Sequence, residues 1–150
     1  LAATALNADC YVFARTGAGF ATGYLQTSET VNGAPKQFTD PMDIIPNIYP
    51  LSDLYTKGTY TVTRSPDIIL LDMGRADIQN ELLKSVKPNG ISAGQAINRA
   101  TEFIKQLKQT NPESKIVCCY GLLSQSEKLK TYLKTITQNA GGEGSDIHLV

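Results

Sequence analysis

The residues best suited to chemistry follow three predicted strands, at the point where each strand ends. A glycine stands after each strand, at Gly17, Gly74 and Gly121. Glycine lets backbone N–H groups approach a ligand closely, and ligands of open α/β sheets bind beyond the carboxyl ends of the strands. Taken singly, each glycine is explained by the tight turn that follows a strand. Together, the three glycines predict one binding site at the carboxyl ends.

Two carboxylates lie close to the second of these glycines. Asp72 precedes Gly74 and Asp77 follows it, after an apolar run from Ile68 to Leu71. A short apolar run that breaks into a polar turn is typical of a buried parallel strand. We expect Asp77 to cap or orient the loop rather than to act as an acid or base. Asp72 lies inside the strand pattern and would need a partner if it were buried.

The elements that must position these residues alternate along the chain. Predicted strands cover residues 10–14, 67–73, 115–120 and 146–150, and predicted helices cover 1–7, 92–111 and 124–140. Both long helices begin with the spacing of a capping box, Ser92 with Gln95 and Ser124 with Glu127. This alternation predicts a three-layer α/β/α fold with a parallel, flavodoxin-like sheet. No linker divides the chain, so residues 1–150 are predicted to form a single domain.

Composition excludes several classes of function. The chain has 14 basic and 14 acidic residues, so it lacks the clustered charge of a nucleic-acid binder or a polybasic membrane contact. No apolar run approaches the ~20 residues of a membrane span. There is one histidine, and neither a metal motif nor a dinucleotide or phosphate-binding glycine motif is present, so we expect no metal and no cofactor. Cys10, Cys118 and Cys119 are interpreted as small buried hydrophobic residues.

Several short blocks, taken in order, resemble those of the SGNH (GDSL-type) hydrolases, most closely the branch formed by carbohydrate esterase family two. The blocks are Leu6-Asn7-Ala8-Asp9, Arg15-Thr16-Gly17-Ala18-Gly19, Ser65 to Asp77, and Tyr120-Gly121. The resemblance implies a secreted serine esterase that removes acetyl groups from carbohydrates or other small esters, with a histidine base. It also implies that Gly17 donates a backbone N–H to the oxyanion. Gly74, Ala76 and Asp77 would belong to the same oxyanion and substrate-binding region.

The chain departs from the pattern of that group in three places. In that group, the block with the nucleophilic serine precedes a helix such as residues 1–7, and that block is not in this chain. Ala76 replaces the usual asparagine and cannot donate a side-chain hydrogen bond. His148 resembles the base of an Asp-x-His-Pro block, but Leu149 follows it and the same residues fit a last strand. We therefore expect a truncated or processed product, whose serine and histidine blocks belong to further segments of the same protein.

A non-catalytic carbohydrate-binding domain on the same scaffold is the alternative function, and Ala76 favours it. Residues 20–64 form a long predicted loop, which is usually functional or disordered. Its aromatic residues would either pack on the core or offer a surface for stacking against sugars; they are Phe20, Tyr24, Phe38, Tyr49 and Tyr55. A flavin-binding protein of flavodoxin type is a third alternative, which a colourless purified protein would remove.

Overall fold

The computed structural model describes residues 2–14, 18–21, 30–31, 34–35, 44–50, 65–78, 93–121 and 125–150. The helices are α1 (Ala2–Ala5), α2 (Ile45–Ile48), α3 (Ala93–Thr110) and α4 (Glu127–Ala140), and a 3-10 helix covers Gly142–Ser145. The strands are β1 (Thr30–Val31), β2 (Ala34–Pro35), β3 (Ile68–Leu71), β4 (Lys115–Cys118) and β5 (Ile147–Leu149). Residues 75–78 form a further helical turn.

A three-stranded parallel sheet in the order β3-β4-β5 organises the fold. Ile69 of β3 lies beside Ile116 of β4, which lies beside Ile147 of β5. Parallel neighbours require crossover connections, and α3 and α4 occupy these two crossovers. The α/β class and the parallel sheet predicted from the sequence are confirmed. Three predicted strands are present within their predicted bounds, and β1 and β2 form a separate antiparallel pair.

The core lies between one face of this sheet and the two long helices. Leu71, Ile116 and Ile147 are buried on that face and belong to one apolar cluster with buried residues of both helices. The alternate side chains of β3 point away from it, and Leu70 is 66% exposed. This alternation follows from the two-residue period of a strand. Among the described residues, both long helices therefore pack on the same face.

Helix α4 begins at a different residue from the one its capping-box spacing predicts. Its first residue is Glu127 and its N-cap is Ser126, without a side-chain capping bond. Glu127 therefore cannot be the fourth residue of a box that starts at Ser124, so that prediction is wrong, and Ser124 itself lies outside the described residues. Helix α3 fills its predicted range from Ala93, while Ser92 lies outside the described part. Gly141 ends α4 with a positive φ of 127°, as the sequence predicts.

The predicted strand at 10–14 is wrong. These residues are neither helix nor strand, and Tyr11 and Val12 are 87% and 83% exposed. Their β-branched and aromatic composition favours a strand only where a neighbouring strand and a packed face exist, and within the described residues they pair with none. Cys10 is consequently exposed rather than buried, which corrects its interpretation, while Cys118 is buried as expected.

Helix α2 replaces part of the long loop predicted at 20–64. Ile45 and Ile48 are buried, and Pro46 lies in the first turn, where its missing N–H costs nothing. No helix among the described residues is long and apolar enough to cross a membrane.

Candidate functional site at the carboxyl end of the sheet

Two of the three predicted glycine turns lie within the described residues, and both require glycine. Gly74 and Gly121 have φ values of 98° and 94°, which L side chains rarely adopt. Gly74 also packs under α4, since a Cβ there would lie 3.1 Å from Leu129 Cδ1 and 3.3 Å from Tyr132 Cε1. These turns therefore have a structural reason for glycine that is independent of any ligand. Gly17 lies outside the described residues.

Asp77 connects the end of β3 to the segment 18–21. Its side chain is buried, at 3% exposure, and its two oxygens accept hydrogen bonds from different backbone amides. Phe20 N–H donates to Oδ2 and Ala21 N–H donates to Oδ1, both at 2.9 Å. A carboxylate that accepts two backbone N–H bonds is a strong, charge-assisted anchor. Asp77 thus holds the segment 18–21, which is far from it in sequence.

The segment 18–21 is held at further points around this carboxylate. The carbonyl of Gly19 accepts from Ile45 N–H at 3.0 Å, and the carbonyl of Ala21 accepts from Arg99 Nη1 at 3.5 Å. A Cβ on Gly19 would lie 2.5 Å from Asp77 Oδ1, so glycine is required for the close approach. The contributions of Ile45 and Arg99 were not predicted from the sequence. Neither carries a local signal, because both contacts join residues far apart in the chain.

The other residues near these turns have different environments. Ala76 is half-buried, and Arg75 and Asp72 are exposed. Partial burial raises the pKa of Asp72. Burial, together with the nearby Asp72 charge, raises the pKa of the Cys119 thiol. Burial, with a smaller contribution from Cys119, raises the pKa of Cys118 to about 12. Both thiols are therefore protonated at neutral pH, which does not suit them to nucleophilic attack.

His148 is the middle residue of β5, as the strand interpretation of residues 146–150 predicts. It lies beside Val117, which in turn lies beside Leu70. His148 therefore lies within a strand.

The predicted aromatic surface is wrong for Phe20. Phe20 is fully buried, and its ring packs against Phe103 with centroids 6.3 Å apart. Tyr49 is half-buried and meets Phe103 edge to face at 5.8 Å. Packing on the core, the other interpretation of these aromatics, therefore applies to both. Tyr24, Phe38 and Tyr55 lie outside the described residues.

A shallow cavity lies beside the C-terminal parts of the two long helices. Its volume is about 340 Å³, and its lining comes from these helices, the turn that follows α3 and the 3-10 helix: Lys105, Lys108, Gln109, Pro112, Ala140 and Ser145. Within the part of the chain that the structure describes, no three His, Cys, Asp or Glu residues are grouped to hold a metal ion.

The fold, rather than the sequence, links this chain to known proteins. No model of a known protein family matches the sequence, and no curated protein matches it either. Several solved structures match nearly its whole length, and all of those described below are carbohydrate esterases.

The first is a family two carbohydrate esterase from Clostridium thermocellum in complex with cellohexaose, with a TM-score of 0.69 and 18% identity. The second is an acetyl xylan esterase from Butyrivibrio proteoclasticus, with a TM-score of 0.67 and 19% identity. The third is a carbohydrate esterase whose active site is described as having divergent catalytic and non-catalytic binding functions, with a TM-score of 0.76 and 17% identity. Each match covers 99% of this chain but only 41%, 44% and 45% of the respective matched chain. The resemblance to the fold of family two carbohydrate esterases is therefore confirmed, at low sequence identity.

Proposed function

We propose that this chain is the larger part of the α/β domain of an SGNH-type serine esterase that removes acetyl groups from carbohydrates. The observation that carries the proposal is the structural match over 99% of the chain to carbohydrate esterases, with a TM-score of 0.76 in one case. The glycine turns and the Asp77-bound segment at the carboxyl end of the sheet support it, because ligands of such sheets bind at that end. We further propose that residues 1–150 form a single domain of a secreted protein.

In the proposed reaction, a serine oxygen attacks the carbonyl carbon of an acetyl ester. A histidine takes the proton of the serine and then gives it to the sugar oxygen as the bond from the carbonyl carbon to that oxygen breaks, which releases the sugar with a free hydroxyl. Water then attacks the acetyl-enzyme in the same way and releases acetate and the free serine. The serine would come from a segment of the protein outside these 150 residues. The histidine would also come from outside them, because His148 lies within strand β5. Backbone N–H groups at Gly17 and Gly74 would stabilise the oxyanion, where one donor is often worth ~3 kcal/mol.

A non-catalytic carbohydrate-binding domain is the second candidate, and Ala76 is the observation that favours it. Where the resembling group has an asparagine, this chain has a half-buried methyl group that cannot donate to an oxyanion. One of the structurally matched esterases is itself described as having both catalytic and non-catalytic binding functions. The same sheet end would then bind a glycan without turning it over.

Acetate release from acetylated xylo-oligosaccharides separates the two candidates, with p-nitrophenyl acetate as a second substrate. The native polypeptide that contains this chain should release acetate with saturation kinetics, and the same preparation treated first with a fluorophosphonate should release none. Glycan binding measured by calorimetry without acetate release would contradict the esterase and support the binding domain. Neither release nor binding would reject both.

A further inference from the structure

The buried contact between Asp77 and the segment 18–21 has a consequence for the proposed site. The segment follows directly after Gly17, and its Phe20 and Ala21 amides are the two donors to the carboxylate. Asp77 itself lies three residues after Gly74, on the helical turn at 75–78. One side chain thus joins the loops that follow two different predicted glycine turns.

We infer that Asp77 is a positioning residue, which holds the segment 18–21 at a fixed distance from the turn at Gly74. The inference rests on the proposed function, since it assigns Asp77 to the oxyanion site of that reaction. Asp77 would not touch the substrate, because its oxygens already accept two backbone N–H groups and its side chain is almost fully buried.

The packing around the carboxylate leaves little freedom in this arrangement. Gly19 passes so close to Asp77 that a Cβ there would lie 2.5 Å from Oδ1 and 2.7 Å from Oδ2. Phe20 is fully buried beside it, and the Gly19 carbonyl is fixed by Ile45 N–H. A contact this close transmits a small change of the carboxylate directly to the backbone of the loop. Displacements of ~1 Å in a catalytic site can cost ~100-fold in rate.

Two substitutions test the contact, one in the carboxylate and one in the segment that it holds. Asp77→Asn keeps the shape of the side chain but replaces one accepting oxygen with an NH₂ group, so one of the two amides loses its acceptor. Gly19→Ala keeps the carboxylate and forces the loop or Asp77 to move. Asp67→Asn is the matched control, because Asp67 is an exposed carboxylate at the other end of β3 and the substitution changes the charge equally.

The test combines steady-state kinetics on p-nitrophenyl acetate with hydrogen exchange of the backbone amides, using the native polypeptide. Asp77→Asn and Gly19→Ala should each lower kcat by at least tenfold with KM within twofold of wild type, and Asp77→Asn should speed exchange at Phe20 or Ala21. Asp67→Asn should change neither. Wild-type turnover together with an unchanged kcat in both variants would overturn the positioning role alone. A wild-type protein without turnover would overturn the proposed function. Hydrogen exchange at Phe20 and Ala21 would then test the contact with Asp77 by itself. If Asp77→Asn left that exchange unchanged, the positioning role of Asp77 would be overturned as well.

Discussion

Replacing Gly74 and Gly94 with alanine should change the stability of the chain in opposite directions. Gly74 has a φ of 98°, and a Cβ there would lie between 3.1 and 3.4 Å from three side-chain atoms of α4. Holding a residue other than glycine in such a conformation costs about 1–3 kcal/mol. The substitution also restricts the unfolded chain, which offsets about 0.4–1 kcal/mol. We therefore expect Gly74→Ala to lower the free energy of unfolding by about 1–2 kcal/mol.

Gly94 is the matched control for this substitution. It is the second residue of α3, it is exposed, and a Cβ there would meet nothing within 4 Å. Alanine favours a helix over glycine by up to ~1 kcal/mol, so Gly94→Ala should raise the free energy of unfolding by a few tenths to about 1 kcal/mol.

Urea unfolding followed by circular dichroism at 222 nm measures both effects. With an m-value of about 2 kcal/mol per molar, the midpoint of Gly74→Ala should fall by about 0.5–1 M, while that of Gly94→Ala should rise. A Gly74→Ala variant at least as stable as wild type would refute the assignment of Gly74 to a left-handed turn packed under α4.

Three further predictions depend on which side chains are buried and which are exposed. Leu71→Ala should lower the free energy of unfolding by about 2–5 kcal/mol in urea titrations. Leu70→Ala should change it by less than ~1 kcal/mol, because that side chain is 66% exposed. Equal losses would contradict the assignment of the two side chains to opposite faces of β3. Cys10 should react with a maleimide within the mixing time, since it is exposed. Cys118 should react only after unfolding, since it is buried and its pKa is about 12. Mass spectrometry that finds Cys118 labelled in the folded protein would disprove this prediction. Asp72 is exposed, but partial burial of its carboxyl raises its pKa in the folded state, so its charged form opposes folding as pH rises through that pKa. Because solvent screens an exposed carboxylate, Asp72→Asn should raise the melting temperature only slightly at pH 7 and leave it unchanged at pH 3. A gain that is larger at pH 3 than at pH 7 would contradict this prediction.

The sheet could be predicted from sequence because each of its strands carries its own signal. Ile68–Leu71 and Lys115–Cys118 are short apolar segments between polar turns, and α3 shows the helical period that predicts burial of Ala100 and Ile104. The segment 10–14 carries an equally strong β composition but forms no strand. Strand formation depends on hydrogen bonds to a neighbour, and no local pattern reports whether that neighbour is present.

The candidate site was predicted only in part, for a related reason. Gly74 and Asp77 could be found because they follow a recognisable strand. The contacts from Asp77 to Phe20 and Ala21 span 57 and 56 residues of sequence, and no periodicity connects such distant positions. Gly19 is the one local signal for these contacts, since a glycine often marks a close approach of the backbone to another group.

Intact-mass spectrometry of the native polypeptide, before and after treatment with a fluorophosphonate, tests the central claim most directly. A serine esterase forms one covalent adduct at its nucleophile, and we predict a single adduct that peptide mapping assigns to a serine outside residues 1–150. Protein that is unfolded before the treatment should gain no mass, which serves as the control for specific labelling. A folded protein that gains no mass would contradict the proposal that this chain is part of a serine esterase.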